Sequence, residues 1–276
     1  MAIPSDRYLD RDGTRLRYRD AGSGTPVIFI HGWTLDLDQW DLQAAALAAD
    51  FRVIRFDRRG YGLSAGSPSI AADCVDLLAL YEHLELGSAA LVAMSQGVRV
   101  ALHFATRSPQ RVSCVVLDGP PNFGPAEVGG VTDLPYDHYR ELAQTHGLEA
   151  FRREWSEHPL VRLRNSDAAV RDTLSRMMAR YPGRDLTETP VSSGALEPLD
   201  FASFDRPTLV INGEFDLDSR KRFARYLTSQ LSKVEYAQIP GSGHLSNLDN
   251  PRAYDRVLRE FLRQHAVSSI AENLTP

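Results

Sequence analysis

Strand-length runs rich in Val, Ile, Leu and Phe alternate with longer helical patterns along most of this chain, and nothing else in the sequence restricts its fold so strongly. Strands are expected near residues 7–11, 15–20, 27–30, 52–57, 89–94, 112–117, 208–212 and 234–239. Helices are expected near 37–49, 70–84, 96–107, 219–231 and 252–265. Strands separated by a helix cannot pair through a tight turn, so each must cross over and lie parallel to its neighbour. The first two strands are the exception, an antiparallel hairpin turning at Asp12-Gly13. The expected fold class is therefore α/β: a mostly parallel eight-stranded sheet flanked by helices.

Between residues 118 and 207 the alternation stops. No convincing strand occurs there, and helical patterns run near 135–145, 149–157 and 167–180. This reads as a helical cap inserted into one core domain, with residues 1–121 and 207–265 forming the two parts of the core, 122–206 the cap and 266–276 a frayed tail. A cap over a reaction centre excludes water and shapes a pocket. Phe123, Tyr136, Trp155, Leu160, Met177 and Met178 are its candidate lining residues.

Four places carry the chemistry, each at the C-terminal end of an expected strand. Ser95 lies in Ala93-Met94-Ser95-Gln96-Gly97, after the apolar run Ala89-Ala90-Leu91-Val92 and before a helical pattern. A strand, a serine among small residues and a helix form a nucleophile elbow, whose sharp turn strains the serine backbone and pushes its hydroxyl clear. Ala93 stands where glycine is usual. Phe29-Ile30-His31-Gly32-Trp33 ends another strand, and a loop leaving it can aim the backbone N–H of Trp33 at a reacting oxygen. The N–H of Gln96, at the start of its helix, is the second candidate oxyanion donor. Leu209 to Asp216 presents a carboxylate beyond Asn212-Gly213, and Ile239-Pro240-Gly241-Ser242-Gly243-His244 a histidine on a glycine-rich loop.

The order Ser95, Asp216, His244 suits nucleophilic catalysis: His244 takes the serine proton and Asp216 fixes the imidazole tautomer. Asp118, ending Val116-Leu117-Asp118-Gly119, is the alternative acid. His31 is expected to support its loop, Asp57 to order its own turn and Asp218 to cap the helix after it.

Composition narrows the partners. A formal charge of −5 argues against nucleic acid, and no apolar stretch approaches the roughly 18 residues of a membrane span. Met1 to Asp12 is charged at Asp6, Arg7, Asp10 and Arg11, leaving no room for a signal peptide's apolar core. Cys74 and Cys114 are the only cysteines and show no metal-ligand spacing. A cytoplasmic enzyme without metal or cofactor is expected, with no membrane or nucleic-acid partner and an open oligomeric state.

At these residues the chain resembles the α/β-hydrolase superfamily from about Arg7 to Arg263. His31-Gly32-Trp33-Thr34-Leu35-Asp36-Leu37-Asp38-Gln39-Trp40 and Phe56-Asp57-Arg58-Arg59-Gly60-Tyr61-Gly62-Leu63-Ser64 are similar to bacterial arylesterases. Those enzymes are related to cofactor-free haloperoxidases with perhydrolase activity. Gly243-His244-Leu245-Ser246-Asn247-Leu248-Asp249 instead looks like the 3-oxoadipate enol-lactonases. Both resemblances imply the triad Ser95, Asp216 and His244 with the Trp33 and Gln96 amides, but they differ on substrate. The residues together read as a metal-independent serine hydrolase acting on a small carboxylic ester or lactone through an acyl-enzyme. Alternatives on the same fold are a C–C bond hydrolase of aromatic degradation, a cofactor-free perhydrolase, haloperoxidase or dioxygenase, and a ligand-binding protein.

Overall fold

The computed structural model describes residues 5–11, 13–123, 133–189 and 196–266. The strands are β1 (Arg7–Arg11), β2 (Thr14–Ala21), β3 (Pro26–Ile30), β4 (Arg52–Phe56), β5 (Ala89–Met94), β6 (Val112–Asp118), β7 (Thr208–Gly213) and β8 (Val234–Ile239). They form one sheet in the order β1-β2-β4-β3-β5-β6-β7-β8. β1 and β2 are antiparallel, β2 meets β4 antiparallel, and every later pairing is parallel. Gly13 takes a positive φ in the β1–β2 turn, while Asp12 lies outside the described residues.

The helices are α1 (Asp41–Leu47), α2 (Ile70–His83), α3 (Gln96–Arg107), α4 (Tyr136–His146), α5 (Leu148–Trp155), α6 (Ala168–Arg180), α7 (Arg184–Thr187), α8 (Asp218–Gln230), α9 (Ser246–Asp249) and α10 (Pro251–His265). Central strands are buried on both faces, and successive side chains divide between two cores as the two-residue period demands. Val27 and Phe29 join the core shared with α10, whereas Ile28 and Ile30 join the core shared with α2 and α3. This explains why the strands read as continuous apolar runs rather than alternating ones.

Two local expectations need correction. The helix expected over 37–49 is split into a 3-10 turn, Leu37–Trp40, and α1. Its cause is the Asp57 carboxylate, which accepts the Leu37 N–H at 2.8 Å, while Asp36 accepts the Asp38 N–H at 2.9 Å and tightens the turn. Asp218 does not cap α8; it is that helix's first residue, 3.3 Å from Lys221, and Leu217 occupies the cap position without a side-chain bond. A carboxylate inside the first turn still suits the positive end of the helix dipole.

α4 to α7 lie between β6 and β7. They are bolted to the loop after β3. Trp33 packs its indole against Tyr136, Tyr139, Phe151, Trp155 and Tyr181, and donates to Asp185 at 2.6 Å. Trp155 donates to the Thr34 hydroxyl at 2.9 Å, and Arg180 pairs with Asp36 and Asp38. The expected tail, 266–276, is described only at Ala266, and parts of the 122–206 segment also lie outside the described residues.

Candidate active site

Ser95 ends β5 with φ +51° and ψ −119°, a conformation costly for any residue bearing a Cβ. Tertiary contacts hold it there. Its N–H donates to the Asp118 carbonyl at 2.8 Å and its carbonyl accepts from Val98 at 2.9 Å, opening α3. A Cβ on Gly97 would fall 2.7 Å from the His31 carbonyl oxygen, so no larger residue fits without movement. Ala93, beside Ile30 on β3 and Leu117 on β6, is fully buried, and the methyl group is accommodated within that core.

His244 reaches the same place from the loop after β8. Its Nδ1–H donates to Asp216 Oδ1 at 3.0 Å, which leaves Nε2 as the basic nitrogen. Nε2 is buried and has no partner among the described residues. Asp216 also accepts from Asn212 Nδ2 at 2.9 Å and from the Leu217 N–H at 2.8 Å. Burial raises the Asp216 pKa, but the His244 charge, the hydrogen bonds from His244 and Asn212, and Arg220 outweigh it and hold the carboxyl below its ordinary range. The loop is pinned by Asp249, which accepts the Gly243 N–H at 2.8 Å and the Arg164 and Asn165 N–H groups from the inserted segment.

Asp118 is one strand away and equally buried, yet its carboxylate meets the Ser246 hydroxyl at 3.1 Å rather than His244. Burial, then the Asp216 charge, pushes its pKa well above the ordinary value. Gly119 makes room between them: a Cβ there would lie 2.6 Å from His244 Cε1.

The amides of Trp33 and Gln96 have no acceptor among the described residues. The Gln96 side chain accepts from Arg58 at 2.8 Å and Tyr61 at 3.1 Å. Gly32 donates its N–H to Gln39 at 3.2 Å. His31 supports this loop: Nδ1–H donates to the Gly32 carbonyl and Nε2 accepts the Arg58 N–H at 2.9 Å. Burial, then the Arg58 charge, keeps its imidazole pKa well below the ordinary value. Asp57 accepts the Leu37 and Leu63 N–H groups and so ties its turn to the β3 loop.

Above Ser95 lies a cavity of about 150 Å³, lined by Trp33, Met94, Trp155, Leu160, Val161 and His244 among others. Of the expected lining residues, Phe123, Trp155 and Leu160 border it, Tyr136 borders an adjoining polar chamber, and Met177 and Met178 border neither. Sequence reasoning missed Arg220. This guanidinium is buried, pairs with Asp133 through Nε at 2.6 Å and Nη2 at 2.9 Å, and brings Nη1 to 3.4 Å from Ser95 Oγ. Its four-residue spacing from Asp216, at the start of α8, was the available signal. Among the described residues no group of His, Cys, Asp and Glu is arranged to hold a metal ion. No described helix is long and apolar enough to cross a membrane.

These features place the chain among open α/β-sheet proteins that gather their reactive side chains at the carboxyl edge of the sheet. A sequence model of the alpha/beta hydrolase fold matches residues 25–251, and the chain belongs to that family. It is 30% identical over 225 residues to a non-heme haloperoxidase of Rhodococcus erythropolis, covering 74% of this chain and 80% of that protein. A thermophilic esterase from Thermogutta terrifontis superposes with a TM-score of 0.75 at 26% identity, over 94% of this chain and 98% of the esterase. The enol-lactonase from Burkholderia xenovorans LB400 shares the fold with a TM-score of 0.75 at 23% identity, over 93% and 100% of the two chains. The protein is an enzyme of the alpha/beta hydrolase superfamily.

Proposed function

We propose that the protein is a metal-independent serine hydrolase that cleaves a small carboxylic ester or lactone through an acyl-enzyme. The observation that carries this reading is the strained Ser95 at the cavity floor, beside a buried His244 whose Nδ1–H is held by Asp216 and whose Nε2 has no partner among the described residues. Ser95 Oγ attacks the carbonyl carbon as its proton passes to His244 Nε2. The carbonyl π electrons move onto oxygen, and the Trp33 and Gln96 N–H groups meet that oxyanion. On collapse, His244 gives the proton to the departing alkoxide oxygen. A water then repeats the sequence on the acyl-enzyme, with His244 as base, and releases the acid.

The hydroxyl rests near Arg220 Nη1 and is not bonded to Nε2. Hydrogen bonds of this kind often tighten only when substrate binds. In this reading residues 122–206 act as the cap, because Trp155, Leu160 and Val161 close the cavity opposite Ser95. A cavity of about 150 Å³ has room for a molecule about the size of benzene, which supports a short acyl chain or a small ring.

An activated serine reacts with fluorophosphonates because the adduct resembles the tetrahedral intermediate. Intact-mass analysis with peptide mapping is expected to find one adduct, on Ser95, with parallel loss of nitrophenyl acetate turnover and no effect of a chelator. Failure to label Ser95 while a control serine esterase is labelled would overturn the reading, as would loss of activity on chelation.

A further inference from the structure

The loop after β3 takes a conformation that its own residues disfavour. Thr34 is buried with φ +63°, in the left-handed region where a β-branched side chain is an outlier. Such a conformation persists only where neighbouring structure imposes it. Here the neighbours come from the helices between β6 and β7. Trp155, ending α5, donates its indole N–H to the Thr34 hydroxyl at 2.9 Å and meets Trp33 edge-on, with ring centres 4.8 Å apart. Asp185, on α7, accepts the Trp33 indole N–H at 2.6 Å. Arg180, ending α6, holds the Asp36 and Asp38 carboxylates. Three helices thus grip residues 33–38.

What they grip carries the Trp33 backbone N–H, which has no acceptor among the described residues. Gly32 lies against the elbow, since a Cβ there would fall 3.4 Å from Ser95 Cβ. The Gly32 carbonyl and the Trp33 N–H belong to one planar trans peptide and point in opposite directions. His31 Nδ1–H donates to that carbonyl at 2.7 Å and so fixes one side of the plane from within the core. The other end of the peptide is the Trp33 Cα. Its place is set by the indole and by Thr34, and both are held from the inserted helices.

Resting on the serine-hydrolase reading above, we infer that Trp155 is a positioning residue for the oxyanion donor. Its hydrogen bond to Thr34 keeps the strained turn in place, so the Trp33 N–H is aimed at the reacting oxygen only while α5 is seated on the loop. Without the indole N–H the Thr34 hydroxyl loses its donor, and residue 34 can relax toward an ordinary backbone region. The Trp33 N–H then shifts, while the contacts among Asp216, Asn212 and His244 stay as they are. An oxyanion donor acts on charge that develops only in the transition state, so the loss falls on kcat rather than KM. Trp155 also borders the cavity, whereas Thr34 lies behind the residues that line it. Substitution at Thr34 therefore separates the hydrogen bond from the shape of the pocket.

The test reaches this bond from both sides. Trp155→Phe keeps a ring and removes the N–H, and Thr34→Val keeps the shape and removes the acceptor; either variant that folds judges the bond by itself. Turnover of nitrophenyl acetate is measured per active site, counted by fluorophosphonate labelling of Ser95, so that loss of folded protein does not register. Each variant is expected to lower kcat and kcat/KM together by about 10- to 100-fold with KM little changed, the scale for a reacting group displaced by about 1 Å. Inhibition by trifluoroacetone, whose adduct with a serine carries an oxyanion, should weaken by a similar factor. The double variant should lose no more than the worse single, because both changes remove one bond. Thr34→Ser, which keeps the hydroxyl, should recover most of the activity. A kcat within about threefold of wild type in a folded variant, well inside that scale, would overturn the inference and leave the hydrolase reading standing. So would a raised KM with kcat and trifluoroacetone inhibition unchanged, which would make Trp155 a wall of the cavity only, or losses that multiply in the double variant. If wild-type Ser95 resists the fluorophosphonate, the hydrolase reading fails and this inference fails with it.

Discussion

The ends of β6 and β7 are neighbours in the sheet, and each presents a buried aspartate, yet the two carboxyls live in opposite chemical states. Asp216 receives hydrogen bonds from His244, Asn212 and the Leu217 N–H and is held as a carboxylate. Asp118 faces hydroxyl groups, Ser246 at 3.1 Å among them, and burial together with the nearby Asp216 charge favours its protonated form. Two like charges so close together cannot both be stabilised without separate partners, and the histidine and the amide donors are on the Asp216 side. Position at a strand end therefore does not decide which aspartate serves a histidine. The loops that deliver donors to it do.

The comparison can be broken most severely at the residue both ends surround. Ser95→Ala is expected to lower kcat for a nitrophenyl ester by about 10⁶-fold, the scale for loss of a triad nucleophile, with unchanged circular dichroism. It sets the floor against which the two aspartates are ranked. A folded variant keeping more than about a tenth of wild-type activity, far above that scale, would remove Ser95 from the nucleophile role.

Asp216→Asn comes next, at about 10⁴-fold in kcat, because an amide facing Nδ1 favours the wrong tautomer. Gly119→Ala probes the space between the two ends. Its Cβ would crowd His244 Cε1, and a displacement of about 1 Å at a reacting group costs on the order of 10²-fold. Asp118→Asn should change kcat by less than about tenfold, since its side chain touches neither His244 nor Ser95. A larger loss for Asp118→Asn than for Asp216→Asn in folded protein would transfer the acid role to β6.

The smallest effects are expected in stability against pH, where the two aspartates have opposite signs. Asp216 has a lowered pKa in the folded state, so its stabilisation is present above its unfolded pKa of about 4 and is lost as the pH falls through and below that value. Asp118 has a raised pKa, so its contribution is full below about pH 4 and is lost as the pH rises through the folded value. Asp57, pushed up to about 7 by burial and then by Asp36, adds to that second trend. Melting temperatures across this range should show a shallower acid limb in Asp216→Asn and a shallower loss with rising pH in Asp118→Asn. Identical profiles for the two variants would contradict the assigned states.

Much of the frame was legible because it is written locally. A buried parallel strand must be apolar on both faces, so β3 to β7 announce themselves as runs, and the elbow is marked by small residues around Ser95 that steric contact requires. The helices α4, α5 and α6 were legible as a break in the alternation, whereas the short α7 was not. Their attachment was not, because Trp33 and Trp155 read simply as large apolar residues until each found a polar partner more than a hundred positions away, at Asp185 and Thr34. The split at Leu37 was hidden for the same reason, since its cause is Asp57 across the sheet edge.

The sequence by itself determined the α/β alternation, the elbow and the order in which serine, aspartate and histidine arrive at strand ends. These follow from side-chain period, backbone strain and residue size, which act over a few positions. Only the tertiary structure decided which aspartate meets His244 and that Arg220 is neutralised by Asp133 beside Ser95. Those outcomes depend on electrostatics between groups brought together from distant segments. Such interactions reach only across the short distances that folding creates, and residue order does not encode those distances.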